Sequence, residues 1–242
     1  MSLQRISFDD RASWLEESTE QSAKGYEEML KRLHFEDRES WLAGRQNGLG
    51  ASDAAAVVGL SPWATPLSLW KQKLGIESPP DLSDNAAVAA GVKMEPILRQ
   101  FYISTHPQYE LEYFPYDILY QEEKPFITAT LDGELIESTG RRGILEIKNV
   151  NISNKAALQK WTGGTMPDYY FTQLIAQLNA TGFQFARLFA ALHFASGDIT
   201  LREFEVERED VLDDMAWLDK EETRFWQKNI LGGVMPSMPL VL

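Results

Sequence analysis

Three charged residues, Asp132, Glu146 and Lys148, lie beside two short apolar stretches of the sequence. Because side chains alternate along a β-strand, the Glu146 carboxylate and the Lys148 ammonium share one face of the second stretch. Mg²⁺ prefers carboxylate and carbonyl oxygens as ligands. In phosphodiester hydrolysis, a lysine beside such a site can lower the pKa of the attacking water or stabilise the charge that develops on the phosphate. The spacing therefore predicts a metal-dependent hydrolytic centre, with Asp132, Glu146 and the backbone carbonyl of Ile147 as ligands.

A solvent-facing strand with ordinary surface charges is the alternative interpretation. Charged residues make up 24% of the chain, so a Glu-x-Lys pattern arises often from composition alone. A second copy at residues 122–124 directly precedes Pro125 and has no apolar strand around it, which favours a loop. On the spacing alone, both interpretations stay open.

Two strands must position these charges. Residues 126–131 are apolar and β-branched and end at Asp132-Gly133, a turn pair, and residues 143–148 form the second strand after a polar connection at 137–143. The two strands are predicted to pair as a hairpin. Apolar periodicity predicts the other elements: a strand at 109–120, a hairpin of strands 185–194 and 199–206, and helices within 52–74, at 86–104 and at 168–182. The sequence therefore predicts an α/β fold in which helices flank a small mixed sheet.

The length of 242 residues suits one domain with an extension. Residues 1–37 are predicted to be an N-terminal helical extension, because apolar residues recur at helical spacing between residues 9 and 33. Residues 38–242 are predicted to form a single domain, with its core at 45–206 and an acidic C-terminal helix at 208–229.

Composition excludes several classes of protein. The absence of cysteine excludes disulfides, thiolate zinc sites and cysteine-held iron–sulfur clusters. No apolar run approaches the roughly 18 residues of a membrane span, and the N-terminus lacks the charged-then-apolar pattern of a signal peptide. We therefore expect a cytoplasmic protein with no membrane partner.

The net charge of −13 opposes binding to a polyanion at long range. Either DNA is not the partner, or the basic groups line a narrow channel while the outside of the protein is acidic. Several basic residues do fall in or just after the predicted core: Arg141, Arg142, Lys148, Lys155 and Lys160.

A second group of candidate residues lies near residue 50. A small-residue turn at 48–51 precedes Ser52-Asp53, an N-cap pair that opens a predicted helix at 54–58. Free backbone N–H groups at such a turn can bind a phosphate, and Arg45 and the Ser52 hydroxyl could complete the site. A capped helix with a surface arginine is the alternative.

Five blocks covering residues 38–195 resemble, in order, the motifs of YqaJ-type viral recombinases, the lambda-exonuclease branch of the D…ExK nucleases. Each block alone is weakly specific, and the five together are strongly so. They are Trp41-x₃-Arg45 with residues 50–59, Ser61-Pro62-Trp63 and Leu69-Trp70; Gly91-x₃-Glu95-Pro96; Asp132-Gly133; Leu145-Glu146-Ile147-Lys148; and Tyr169-Tyr170-x₂-Gln173 with Gln177-Leu178-x₂-Thr181-Gly182.

The resemblance implies a restriction-endonuclease-like core and adds two site residues. In the family, a glutamine that matches Gln173 lies against the catalytic lysine and water, and a glutamate that matches Glu95 lies by the metal site. For Glu95, an ion pair with Arg99 four residues later on the helix is the alternative. The family often has a second glutamine two residues after the first, where this chain has Ile175.

The resemblance further implies a Mg²⁺-dependent exonuclease, with Mn²⁺ as another possible metal, that digests one strand of duplex DNA from a 5′ end and leaves a 3′ overhang. Arg45 and Ser52 would receive the 5′-terminal phosphate. The implied partners are double-stranded DNA ends and a phage single-strand annealing protein, in a bacterial host. The implied assembly is a homotrimer ring around the DNA, in which basic groups need line only the bore.

Two alternatives accompany this hypothesis. One is a nuclease of the same chemistry that cuts internally or prefers unphosphorylated ends. The other is a non-catalytic DNA-binding or assembly protein with the same fold, which a broken triad would mark. Asp132, Glu146 and Lys148 are all present, which favours an enzyme.

Overall fold

The computed structural model describes residues 29–82 and 84–237. The strands within these ranges are β1 Leu30–His34, β2 Leu49–Gly50, β3 Tyr109–Glu112, β4 Asp117–Gln121, β5 Ile127–Ala129, β6 Gly133–Glu137, β7 Arg142–Ile152, β8 Phe185–Phe194 and β9 Ile199–Glu207. The α-helices are α1 Arg38–Gly44, α2 Ala54–Val57, α3 Pro66–Lys73, α4 Ala86–Thr105, α5 Lys155–Gln159, α6 Asp168–Thr181 and α7 Leu212–Arg224. Short 3₁₀ turns cover Arg45–Asn47, Ala51–Asp53 and Arg208–Val211, and α7 continues into a π-helix at Phe225–Leu231.

The larger sheet has five strands in the order β3-β6-β7-β8-β9. The β7–β8 pair is parallel and the other pairs are antiparallel, so the predicted mixed sheet is confirmed. The predicted pairing of residues 185–194 with 199–206 is also confirmed, as β8 and β9.

The two faces of β7 pack against different helices, as strand alternation predicts. Leu145 and Ile147 are buried in a cluster with Leu98 of α4. Ile144 is buried on the opposite face with Leu174 of α6. Glu146 therefore faces α6 rather than α4, because it shares the side of the strand with Ile144.

A second sheet, which the sequence did not predict, has four strands in the order β1-β4-β5-β2. Its β2–β5 pair is parallel, with Leu49 opposite Ile127, and its β4–β5 and β1–β4 pairs are antiparallel. Helix α6 contacts β5 of this sheet as well as β7 and β8 of the larger one. One helix therefore packs against both sheets.

The predicted pairing of the two core strands is wrong. Residues 127–129 belong to the four-stranded sheet, and the antiparallel neighbour of β7 is β6, which begins at Gly133. Gly133 is paired with Leu145 rather than standing in a turn, and its missing Cβ leaves room for the Leu111 side chain, 3.3 Å from where that Cβ would be. Asp132 is consequently the link between the two sheets.

The predicted strand at 109–120 is two strands in different sheets. β3 pairs with β6, and β4 pairs with β1 and β5. Tyr116, just before β4, has a φ of 64°, a left-handed conformation that turns the chain between them.

The helical prediction for residues 9–33 is wrong for Leu30–His34, which form β1 against β4. The Arg32 guanidinium bridges the carboxylates of Asp117, at 2.8 Å, and Glu134, at 2.5 Å, and these ion pairs favour the extended pairing over a helix. Residues 1–28 of the predicted extension lie outside the described residues.

Most predicted helices are confirmed, with two adjustments. Helix α6 ends at Gly182, whose φ of 75° suits the left-handed position after a helix. Helix α4 runs through Pro96 without a second start, and the acidic C-terminal helix is a 3₁₀ turn, α7 and the π-helix in succession. No helix in residues 29–82 or 84–237 is long and apolar enough to cross a membrane.

Candidate active site

The three charged residues of the predicted triad converge at the junction of the two sheets. Asp132 lies in the link between β5 and β6, and its Oδ2 accepts a hydrogen bond of 2.7 Å from the backbone N–H of Ile147. On β7, the Nζ of Lys148 lies 2.6 Å from Oε1 of Glu146. The alternative of a solvent-facing strand is wrong, because the Glu146 side chain is buried at 4% exposure.

Gln173, on the second turn of α6, contacts both charges on β7. Its Nε2 donates to Oε1 of Glu146 at 2.7 Å, and its Oε1 accepts from Nζ of Lys148 at 3.0 Å. One amide therefore fixes the orientation of the carboxylate and the ammonium together.

Gln177 is a site residue that the sequence hypothesis left without a role. Its side chain is fully buried, and its Nε2 donates to Oε2 of Glu146 at 2.6 Å. Gln177 lies one helical turn after Gln173, on the same face of α6. Ile175, where the family often has its second glutamine, is buried in the apolar core instead. The sequence signal was the four-residue repeat of Tyr169, Gln173 and Gln177.

Glu95 reaches the site through Arg99. The two form the i,i+4 ion pair considered from the sequence, and Nε of Arg99 donates to the backbone carbonyl of Asp132 at 2.5 Å. The Arg99 guanidinium also lies 3.4 Å from the centre of the Tyr113 ring. The contact between Arg99 and Asp132 was not predicted, and it ties helix α4 to the link that carries Asp132.

The charges perturb one another strongly. Burial raises the pKa of Asp132 well above its usual range, and the nearby carboxylates of Glu146 and Glu95 raise it further. Burial disfavours the Lys148 ammonium, but Glu146 and Asp132 outweigh that effect, so the pKa of Lys148 is also raised. The site therefore brings an amino group together with carboxylates that repel one another.

The donors in this site are oxygen atoms, which suit a hard divalent cation. Among the described residues, no three His, Cys, Asp or Glu side chains lie close enough to hold a metal by themselves. The side-chain donors are the carboxylates of Asp132 and Glu146, which both line the site, and the backbone carbonyl of Ile147 stays a predicted ligand. Mg²⁺ is commonly held by one or two carboxylates together with water and phosphate oxygens, and a cation would relieve the repulsion between the carboxylates.

The second predicted group also comes together. The Nη2 of Arg45 donates to Oγ of Ser52 at 2.8 Å, and the Arg45 guanidinium lies 4.8 Å from the centre of the Trp41 ring. The indole N–H of Trp41 donates in turn to Oγ1 of Thr130 at 3.3 Å. Arg45 is therefore held between an aromatic face and a hydroxyl.

The predicted N-cap role of Asp53 needs correction. Its Oδ2 accepts the backbone N–H of Gly50 at 3.0 Å and pairs with Nζ of Lys73 at 2.9 Å, and α2 has no side-chain cap. The N–H of Gly50 is thus occupied within the protein. A phosphate at this place would bind chiefly through the side chains of Arg45 and Ser52.

Both groups line one cavity of about 170 Å³. Its wall contains the arginine–serine pair, the two carboxylates and the glutamine described above, together with aromatic and small residues. The lining residues are Trp41, Arg45, Gly50, Ala51, Ser52, Thr128, Thr130, Asp132, Glu146 and Gln173.

The expected cluster of basic residues is only partly present. Arg142 begins β7, six residues and about 20 Å from Lys148 along the strand, and Arg141 directly precedes it. Arg141 pairs with Glu207 and Arg142 with Glu134, so neither arginine adds free positive charge to the site. Lys160 lies nearer, with its Nζ 5.8 Å from the centre of the Tyr169 ring.

Comparison with known proteins identifies the family of the chain. Residues 40–184 match the model of the YqaJ-like viral recombinase domain. The chain is 30% identical over 195 residues to the uncharacterized protein YqaJ of Bacillus subtilis (strain 168), an alignment that covers 80% of this chain and 57% of that relative. The chain thus spans little more than half the length of the relative.

Two solved structures show the same fold. The alkaline exonuclease LHK-Exo of Laribacter hongkongensis matches with a TM-score of 0.56 at 21% identity, over 79% of this chain and 92% of that one. The complex of LHK-Exo with dAMP matches with a TM-score of 0.51 at 19% identity, over 81% and 98%. The predicted restriction-endonuclease-like core is confirmed. The resemblance seen in the motifs is confirmed as well, and the chain belongs to the YqaJ-like viral recombinase domain family.

Proposed function

We propose that this protein is a Mg²⁺-dependent exonuclease that digests one strand of duplex DNA from a 5′ end and leaves a 3′ overhang for recombination. The observation that carries the proposal is the single cavity shared by Arg45 and Ser52 with Asp132 and Glu146. Support comes from a family described as viral recombinases and from a structural neighbour described as an alkaline exonuclease.

In this proposal Asp132, Glu146 and the carbonyl of Ile147 hold the metal. When bound, Mg²⁺ would supply Lewis acidity toward the phosphate and make a water molecule more acidic. The buried carboxylates give the metal its ligands, and Gln173 and Gln177 keep the Glu146 carboxylate in one orientation. Mn²⁺, which accepts similar oxygen donors, is a second candidate.

In this proposal Lys148 places a positive charge beside the attacking water. Held by Glu146 and Gln173, its ammonium can donate hydrogen bonds to the attacking water or to the phosphate oxygens. This role stabilises the charge that grows in the transition state.

Arg45 and Ser52 give the reaction its direction in this proposal. A guanidinium and a hydroxyl 2.8 Å apart can bind a terminal phosphate through charge-assisted hydrogen bonds. Because the same cavity contains the triad carboxylates, a 5′ phosphate bound there would place the adjoining phosphodiester near the hydrolytic groups. The complex of LHK-Exo with dAMP is consistent with a nucleotide-sized site in this fold.

The acidic surface belongs to the same proposal. A homotrimer ring that encloses the duplex would retain DNA by topology, so a net charge of −13 would not prevent digestion. The proposed setting is the cytoplasm of a bacterial host, with a phage or prophage origin and a phage single-strand annealing protein that receives the 3′ overhang.

The test is digestion of a linear duplex with a 5′ phosphate on one strand and a 5′ hydroxyl on the other. Reactions contain Mg²⁺, EDTA, or Mg²⁺ with the Lys148→Ala variant. We expect metal-dependent loss of the phosphorylated strand, reduced at least about 100-fold by the substitution because an oxyanion-stabilising group is removed.

Three other digestion results would each contradict a different part of the proposal. Equal loss of both strands would remove the phosphate-binding role of Arg45 and Ser52 and leave the triad intact. Cleavage of closed circular duplex would show an endonuclease. No digestion with Mg²⁺ or Mn²⁺ would contradict the enzymatic function altogether.

A further inference from the structure

Trp63 is the most exposed large apolar side chain in the described part of the chain, at 72% exposure. It lies in the loop between α2 and α3, in a hydrogen-bonded turn. The Oγ of Ser61 accepts from the backbone N–H groups of Trp63 and Ala64, both at 3.2 Å. A single exposed indole is ordinary on a protein surface, whereas a contiguous aromatic patch points to a binding surface.

The indole does not stand alone. Its ring centre lies 4.9 Å from that of Tyr169, edge to face at 74°, and 6.3 Å from that of Tyr170. The two tyrosines, on the first turn of α6, are themselves 4.5 Å apart. Trp63, Tyr169 and Tyr170 therefore form a continuous aromatic row.

This aromatic row connects to the hydrolytic site. The Nζ of Lys148 lies 4.9 Å from the centre of the Tyr170 ring, and the Nζ of Lys160 lies 5.8 Å from that of Tyr169. The Lys148 ammonium thus lies at the end of the row nearest the hydrolytic site, and the Lys160 ammonium lies beside Tyr169. Flat apolar rings beside cations match a ligand that is both aromatic and anionic, as an unpaired nucleotide is.

We propose that the aromatic row is a stacking site for an unpaired base at the end of the DNA substrate. Trp63 stacks on the base, and Lys160 binds the neighbouring phosphate. The inference rests on the proposed function, which identifies DNA as the ligand, and it adds which residues hold the unpaired base. A second protein could also cover an exposed tryptophan, but the flanking lysines in a chain of net charge −13 favour a polyanion.

The test measures binding in EDTA, so that no cleavage occurs. Dye-labelled duplexes with a blunt end or with a few unpaired nucleotides at the 5′ end are titrated with the full chain, and affinity is read from fluorescence anisotropy. Trp63→Ala should weaken binding of the forked duplex about 5- to 150-fold, the range of one base–aromatic stacking contact, and weaken blunt-end binding less. Trp63→Phe should recover part of the loss.

A second readout reports stacking directly. A 2-aminopurine placed at the unpaired end should lose fluorescence on binding to the wild-type chain and should keep it with Trp63→Ala. The matched control is Trp217→Ala, which removes another exposed indole, at 52% exposure, on α7. This control should leave both readouts unchanged.

Three results would overturn the stacking site: unchanged binding by Trp63→Ala, equal weakening for blunt and forked duplexes, or a changed oligomeric mass with unchanged DNA affinity. The last result would assign Trp63 to contact with a second copy of the chain.

Failure of the proposed function would give a result that is distinguishable from these three. Wild-type protein that quenches 2-aminopurine but digests nothing with Mg²⁺ supports the stacking site and overturns the exonuclease.

Discussion

The Glu146 carboxylate is the most tightly held group of the site. Lys148 and Gln173 both contact its Oε1, and Gln177 contacts its Oε2. A buried carboxylate held at both oxygens loses little orientational freedom when it binds a cation, which is how surrounding hydrogen bonds tune a metal ligand. Gln177 touches neither Asp132 nor Lys148 in the contacts described, so it acts through Glu146.

Gln177→Leu should therefore lower activity at limiting Mg²⁺ more than it lowers the thermal stability of the protein. The substitution keeps the size of the side chain and leaves Oε2 of Glu146 without the amide donor. We expect a fall of about 10- to 100-fold in activity at limiting Mg²⁺, the range typical of such supporting residues. The measurement is the initial digestion rate as a function of Mg²⁺ concentration, together with the thermal unfolding midpoint.

Gln100→Leu, an identical change at an exposed position on α4, is the control. If the Mg²⁺ dependence of Gln177→Leu matched that of Gln100→Leu, the contact with Oε2 would have no part in metal binding. A lowered unfolding midpoint with unchanged Mg²⁺ dependence would show that Gln177 serves the core alone.

Local rules were enough to predict much of the site. Strand alternation placed Glu146 and Lys148 on one face, the small-residue turn at 48–51 pointed to Arg45 and Ser52, and the motif resemblance supplied Gln173. From the sequence, Arg99 was predicted only to form an ion pair with Glu95 on the same helix. Its bond to the Asp132 carbonyl depends on where α4 packs against the sheet, which sequence spacing does not contain.

At the scale of elements, the sequence predicted which stretches are strands better than it predicted their partners. Residues 126–131 and 143–148 were expected to pair, yet β5 and β7 lie in different sheets. Pairing depends on contacts distant in the chain, and the short GELIE stretch that became β6 carries two glutamates that obscure its strand character. One of them, Glu134, is buried against Arg32 and Arg142.

Strand β1 was missed for a similar reason. Leu30 and Leu33 fit a helical spacing, and the residue that fixes the strand is a charged one. Arg32 reaches Asp117 and Glu134, whose side chains are almost completely buried. Sequence periodicity weighs apolar residues, so it cannot detect a strand that is anchored by ion pairs.

Arg32→Met should consequently destabilise the protein by about 2–3 kcal/mol. Removing one partner of a buried pair usually costs more, but here the arginine is partly exposed and Asp117 and Glu134 keep His34 and Arg142 as second partners. Urea unfolding at neutral pH gives the free energy of unfolding.

Lys31→Met is the matched control on the same strand. Lys31 pairs with Glu122 at 3.0 Å, and both side chains are exposed, so its loss should cost less than about 1 kcal/mol. Equal destabilisation by the two variants would mean that apolar packing, not the Arg32 ion pairs, holds β1 in the sheet.

At the scale of the whole molecule, the two sheets meet where the chemistry is. Asp132 links them, α6 packs against both, and the cavity lies between β5, the turn at Ala51–Asp53 and β7. Neither the second sheet nor this junction was predicted, since both depend on how strands of separate stretches associate. The composition did predict a protein whose exterior is acidic. The acidic residue Glu222 is instead buried.

Glu222, on α7, is fully buried, and neither carboxyl oxygen has a hydrogen-bond partner among the residues that the structure describes. Burial raises its pKa to about 8, with further contributions from Asp219 and Asp53 that exceed the opposing effect of Lys124. Between pH 4.5, its ordinary pKa, and about pH 8, the folded protein keeps a proton that the unfolded chain releases. The stability that this proton provides is complete below the ordinary pKa and is lost as pH rises toward 8.

Glu222→Gln should therefore flatten the dependence of stability on pH. Within that window, the wild-type free energy of unfolding should fall relative to the variant by up to about 1.4 kcal/mol for each pH unit. Urea unfolding at several pH values between 5 and 8 measures the difference. Glu221→Gln, which changes the neighbouring carboxylate paired with Arg224, should retain the wild-type slope. Parallel wild-type and Glu222→Gln curves would show that Glu222 is already ionised in the folded protein, and that a cation or water reaches this buried carboxyl.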